Sequence, residues 1–326
     1  MRRFTRSFFL ITKTDTQVAG GKGANLGELT QAGFNVPRGF CVTSDALLHH
    51  VEYNHLEPII DTIVAKFNYD DFEAIETQTA EIRFLITSGE IPQDLRSELV
   101  NAIREIVGPD DSFVAVRSSV AIKGTDISSF PGMMDTFHYL KGEEEIIKHI
   151  KMCWASLWTS RATFTRYHKK IDHKLGLIAP VVQKMVNPET AGVLFTANPI
   201  TSKRDEMVIE ANWRLGESLV SGKSMNDFFL IDKSTLTEKT RRIAKKTFMV
   251  CFDEEKGFGR KESTVDPDMM NAPTLSVDQV HELGEIGIKI EAHFDFPQDI
   301  EWAYERGKLF ILQSRNIRSL KKIEGD

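Results

Sequence analysis

Cysteine is scarce in this chain of 326 residues: Cys41, Cys153 and Cys251 are odd in number, far apart and free of any C-x-x-C pair. That speaks against a disulfide framework or a thiolate zinc site and points to a reducing, cytoplasmic setting. Long apolar runs are also missing, since no window approaches the roughly 20 consecutive apolar residues of a membrane span. The opening run Phe8-Phe9-Leu10-Ile11 stops after four residues with no small-residue cleavage site behind it, so the start reads as a first strand. Nor does one charge dominate. The 41 basic residues are mixed among 47 acidic ones for a net charge of -6, which argues against a protein that coats nucleic acid and leaves phosphate recognition to local groups. None of the nine histidines has a ligand or nucleophile setting, and no Ser-His-Asp pattern stands out.

What the chain does have is enough length for two lobes and an ordinary globular composition, 41% hydrophobic and 27% charged. Residues 18 to 45 read as a Gly-rich loop, a helix over Ala24 to Ala32 closed by Gly33, a strand Gly39 to Thr43 and a helix capped by Ser44. Apolar spacing is helical from about 45 to 108, as in Leu95-Leu99-Ile103-Ile106. A strand Phe113 to Arg117 then leads into a polar, Gly-rich loop from Ser118 to Thr136, followed by a strand Phe137 to Leu140 and one long helix from Glu143 to about Lys170. Its Trp154 and Trp158 are expected in the core. Strands dominate from 177 to 318, with Glu254 to Ala272 as an exposed connection and a last helix from Ser276 to Phe294 opened by a capping box. The expected division is 1–176, 177–318 and a charged tail, 319–326.

Several residue sets carry chemistry. Asp299 and Glu301 fall on one face of a strand by period-two alternation, as do Gln313 and Arg315 on theirs. A tight loop at Arg306-Gly307-Lys308 joins the two as a hairpin that sets Glu301 opposite Gln313 and Asp299 opposite Arg315. Upstream, Gly20-Gly21-Lys22-Gly23 precedes a helix whose N-terminus offers free N–H groups and positive dipole to an anion. Arg117 closes a Val-Ala-Val strand and points away from whatever Val114 and Val116 bury. Gln183 is a polar residue in an apolar strand, where an adenine or ribose edge could bond to it. Two carboxylates, a lysine, an arginine and glycine-rich turns are together the parts of a Mg·ATP site.

Six blocks, in order, resemble the N-terminal nucleotide-binding domain of the phosphoenolpyruvate synthase and pyruvate phosphate dikinase family, which also includes rifampicin phosphotransferase and phenylphosphate synthase. They are Gly20 to Gly27, Val36 to Phe40, Val114 to Ser119, Gly192 to Pro199, Gly216 to Gly222 and Gln298 to Arg315. The resemblance implies an α+β, ATP-grasp fold whose two lobes clamp ATP. It implies nucleotide contacts from Lys22, Arg117, Gly132, Thr136, Gln183, Glu301, Gln313 and Arg315, with Lys22, Arg117 and Arg315 in catalytic roles and Asp299 with Glu301 holding Mg²⁺. In such enzymes a histidine on a swivelling domain takes the pyrophosphoryl group, AMP leaves, and a small acceptor is phosphorylated.

The family's phosphocarrier histidine sits in a Gly-Gly-x-Thr-x-His context that no histidine here shares. The expected partner is therefore a histidine-bearing domain or subunit that also binds the small acceptor, phenol or pyruvate-like, with no nucleic acid or membrane involved. Trp213-Arg214-Leu215-Gly216 departs from the family, which usually has a small residue in place of the arginine. A nucleotide-binding regulatory module and a self-contained ATP-grasp ligase or kinase are the alternative readings. The chain is expected to be a separate ATP-binding subunit or a piece of a longer enzyme.

Overall fold

A computed structural model describes residues 3–108, 112–122, 136–216, 225–317 and 320. Its packing divides the chain into two units, Met1–Ala32 with Arg38–Met185, and Gly33–Pro37 with Val186–Asp326.

The first unit runs β1 (Thr5–Ser7), α1 (Thr16–Gln31), β2 (Gly39–Val42), α2 (Ser44–Tyr53), α3 (Glu57–Val64), α4 (Phe72–Ser88) and α5 (Gln93–Val107). It continues with β3 (Val114–Arg117), β4 (Val120–Ile122), β5 (Thr136–Leu140), α6 (Glu143–Ala155), α7 (Ser160–His168), β6 (Gly176–Ile178) and β7 (Val181–Lys184). The main sheet has the order β1-β2-β7-β3-β5, while β4 and β6 form a separate pair. Phe40, Val42, Val114, Val116 and Val182 turn one face of that sheet into a core shared with Leu95, Leu99 and Ile103 of α5 and Ile146, Ile150 and Trp154 of α6. The helical spacing therefore places its apolar stripe as expected, and both tryptophans lie in the core.

Four local expectations change. The glycine stretch is a kink between two helical pieces and not a loop: α1 begins at Thr16, leaves helical geometry at Gly20, φ 67° and ψ 171°, and resumes as the expected helix after it. The polar stretch after Arg117 opens with a buried strand, because Val120-Ala121-Ile122 finds Gly176–Ile178 to pair with. The long helix is two, since Thr159 turns extended and its hydroxyl accepts from the Ala162 N–H, starting α7 anew. The first unit runs on to Met185 rather than ending at residue 176, because β7 is the central strand between β2 and β3.

The second unit contains β8 (Thr190–Phe195), β9 (Glu206–Trp213), β10 (Asp227–Asp232), β11 (Glu238–Arg242), β12 (Phe248–Phe252), β13 (Arg260–Thr264), α8 (Pro267–Met270), α9 (Val277–Phe294), β14 (Gln298–Glu305) and β15 (Lys308–Asn316). Its six-stranded sheet has the order β11-β10-β9-β8-β14-β15 and is antiparallel throughout. Helix α9 opens with the expected capping box, Ser276 with Gln279, and lies close on one face of the sheet. The close approach needs Gly287, where an added Cβ would stand 2.7 Å from Met207 Cε and 2.8 Å from Leu194 Cδ2. The expected connection from Glu254 to Ala272 instead holds β13 and α8. Beside it, fully buried Lys246 donates to Asp227 at 2.6 Å, and Asp227 also accepts from the N–H and hydroxyl of Thr274.

Candidate functional site

In the first unit, cross-strand register decides which side chains share a face. Cys41, Val181, Arg117 and Thr136 stand side by side across β2, β7, β3 and β5, and Gly39, Gln183 and Ala115 form the next row. Partners in an antiparallel ladder point the same way, so Arg117, Thr136 and Gln183 share the face opposite the helical core. Gln183 is buried between two small neighbours, Gly39 and Ala115, in the middle of that face. The broken helix α1 lies on the same side, because a Cβ added to Gly23 would come within 2.4 Å of Cys41 Sγ. Lys22 sits between two buried glycines, Gly21 and Gly23, and is itself partly exposed. Gly132, with the rest of Pro131 to Asp135, lies outside the described residues, as do Glu217 to Gly222.

In the second unit the hairpin has the expected register, Asp299 opposite Arg315 and Glu301 opposite Gln313. Its turn is Arg306-Gly307, with φ 51° and 71°, the left-handed pair that a two-residue turn between twisted strands requires. Both Nε and Nη2 of Arg315 donate to Asp299 Oδ2, at 2.8 and 2.7 Å. Burial pushes the Asp299 carboxyl above the usual range, the Arg315 guanidinium pulls it back, and Glu301 adds to the upward push. Gln313 is 3% exposed and its Oε1 accepts no hydrogen bond among the described residues. The end of the hairpin is locked by Gln298, which accepts from Ser314 Oγ at 2.7 Å and donates to Asn316 Oδ1 at 2.7 Å.

These groups fit a divalent cation. A buried acid paired on one oxygen with Arg315, a second carboxylate two residues along the same strand and a buried amide oxygen in want of a donor or cation all meet on one sheet face. Among the described residues no cluster of three or more His, Cys, Asp or Glu side chains gathers to hold a metal. A cation shared between two carboxylates and a nucleotide's phosphates, the usual mode for Mg²⁺, needs no such cluster.

Sequence reasoning passed over two groups. Glu210 lies on the face of Glu301, two strands away across Val193 of β8, and accepts from Asn226 Nδ2 at 3.3 Å. Asn226 in turn accepts from Asn212 at 3.0 Å. A lone Glu two residues before Asn212, after the apolar Met207-Val208-Ile209, was the available signal. The other is Ser119, quoted within a block but given no task.

The chain matches the pyruvate phosphate dikinase AMP/ATP-binding domain over residues 16–326. It belongs to that family. It is 39% identical to a probable phosphoenolpyruvate synthase of Pyrococcus horikoshii over 98% of this chain and 44% of the relative. With a probable phosphoenolpyruvate synthase of Methanocaldococcus jannaschii it shares 42% over 96% of this chain and 26% of the relative. A rifampicin phosphotransferase of Bacillus subtilis is 37% identical over 95% and 35%. The chain thus spans less than half of each of these relatives. The fold is α+β, of the ATP-grasp class, and the family is one of phosphotransferases. No helix among the described residues is long and apolar enough to cross a membrane.

Proposed function

We propose that this chain binds Mg·ATP and presents its pyrophosphoryl group to a histidine on a swivelling domain or subunit, releasing AMP, so that a small acceptor of the phenol or pyruvate class is phosphorylated. The observation that carries the reading is the sorting of faces. In each unit the residues with phosphate, metal or base chemistry share one sheet face: Arg117, Thr136 and Gln183 lie opposite the core of α5 and α6, on the side where α1 carries Lys22, and Asp299, Glu301, Gln313 and Arg315 lie opposite the face that packs on α9.

Each residue has a task in that reading. Lys22 and Arg117 neutralise phosphate oxygens, Thr136 donates its hydroxyl and Gln183 offers an amide to the base or ribose. Asp299, Glu301 and Gln313 would hold Mg²⁺, which when bound draws charge from the transferring group. Arg315, fixed by Asp299, keeps a cation beside those oxygens without a reorientation at the moment of transfer.

The test is calorimetry with Mg·ATP, paired with thermal unfolding. A hundredfold excess over the dissociation constant is expected to stabilise the chain by about 2.7 kcal/mol. Lys22→Ala and Glu301→Gln are expected to weaken that effect, the latter by removing its dependence on Mg²⁺. AMP is expected from labelled ATP only when a domain or subunit that presents a phosphate-accepting histidine is added. Steady AMP production by the chain alone overturns the histidine-partner reading in favour of a self-contained ligase or kinase.

A further inference from the structure

We propose that Ser119 is a positioning residue for Lys22, acting by holding open the break in α1; the proposal rests on the ATP-binding reading above. In an unbroken helix the Gly23 N–H would donate to the Ala19 carbonyl four residues back. Here the Ser119 hydroxyl stands between them, donating to Ala19 O at 2.9 Å and accepting from Gly23 N at 3.3 Å. One side chain has inserted into the helical ladder, a recognised cause of a kink. Gly20 takes φ 67°, and a Cβ there would lie 2.1 Å from Ser119 Oγ and 2.7 Å from its carbonyl carbon, so only glycine admits the serine so closely.

Ser119 is itself anchored. It is 1% exposed, follows β3 two residues after Arg117, and its carbonyl accepts from the Ala179 N–H at 2.8 Å. The residue therefore ties the strand that carries Arg117 to the helix turn that carries Lys22. Without the hydroxyl, Ala19 O and Gly23 N are free to bond to each other. The helix then heals, the buried polar groups stay satisfied, and Lys22 is turned out of register with Arg117.

The experiment is a double-mutant cycle read by calorimetry with Mg·ATP on the whole chain: Ser119→Ala, Lys22→Ala and the pair. Ser119→Ala is expected to keep the melting temperature within a few degrees while weakening Mg·ATP by about tenfold. In the Lys22→Ala background, removing the hydroxyl is expected to change affinity by less than about twofold, because its effect runs through Lys22. Additive losses, or full affinity in Ser119→Ala, overturn the positioning role while leaving the ATP site standing. Full affinity in Lys22→Ala overturns the ATP-site reading and the positioning claim with it. Should Ser119→Ala fail to fold, hydrogen exchange in the unaltered chain decides. A Gly23 amide protected equally with and without ATP supports a prebuilt kink, and one protected only by ATP overturns it.

Discussion

Lowering the pH from 7 to 4.5 is expected to destabilise the first unit, and a defined share of that loss runs through the imidazole of His173. The Nε–H of Arg166 donates to His173 Nδ1 at 2.9 Å, which fixes that nitrogen as an acceptor and leaves the ring proton on Nε2, 2.6 Å from the Tyr69 hydroxyl. Arg166 is 0% exposed and lies over Trp158 at 5.1 Å, with Nη1 on the Leu157 carbonyl at 2.7 Å. A second proton on His173 would set Nδ1–H against an arginine N–H. Burial, and next the Arg166 charge, accordingly hold His173 down to about 4 from an ordinary 6.5.

The sign follows from which state binds more protons. Between pH 6.5 and about 4 the unfolded chain carries the proton and the folded one does not, so stability is full above 6.5 and falls as the pH drops towards 4. Full separation of the two values gives about 2.5 kcal/mol between pH 7 and 4.5, and screening on the ring's exposed side reduces this to about 1–2 kcal/mol. Urea unfolding followed at the Trp158 indole, 5.7 Å from the His173 ring, measures it. His173→Gln, whose amide can accept from Arg166 and donate to Tyr69, is expected to lose about 1–2 kcal/mol less than the unaltered chain over the same pH interval. Parallel losses in the two proteins, or a His173 resonance titrating near 6.5, would refute the argument.

Two further outcomes follow from other sites. Lys246→Met strands the buried Asp227 carboxylate without its cation and is expected to cost about 3–5 kcal/mol in denaturant unfolding of the second unit, and a loss below about 1 kcal/mol would show the pair to be dispensable. Arg214 holds a left-handed φ of 62° at an exposed bridge to Val250, so Arg214→Gly is expected to raise stability by about 1 kcal/mol; an unchanged or lower melting temperature contradicts the strain.

The closing hairpin was legible because two short-range rules suffice for it. Alternation sorts the faces, and a two-residue turn at Arg306-Gly307 fixes the register, so Asp299 meets Arg315 without any knowledge of the rest of the chain. Strand β7 was recognisable as a strand for the same reason, yet nothing local says which sheet takes it. Its neighbours β2 and β3 lie far off in sequence, and the division of the chain moved with it. Strand β11, Glu-Lys-Thr-Arg-Arg, escaped notice because an exposed edge strand has no buried face to impose alternation. The break before α7 had a readable sign, Thr159 as a capping residue, but helical spacing on both sides outweighed it.

The candidate site shows the same asymmetry more sharply. Lys22, Arg117, Gln183, Asp299 and Glu301 can be picked out by residue type, because charge and amide groups on otherwise apolar elements need a reason to be there. The residues that hold them carry no such mark. Ser119 reaches Ala19 across 100 positions, and the Gln298 N–H that starts β14 donates to Thr196 Oγ1 across 102. A serine that mends a broken helical bond looks, in sequence, like any other serine after a strand. Its task exists only once Gly20 has let the backbone turn, since a side chain at that position would occupy the place of the hydroxyl. The chemistry-bearing residues therefore state what could be bound, while the small, distant partners decide where in the proposed site Lys22 stands.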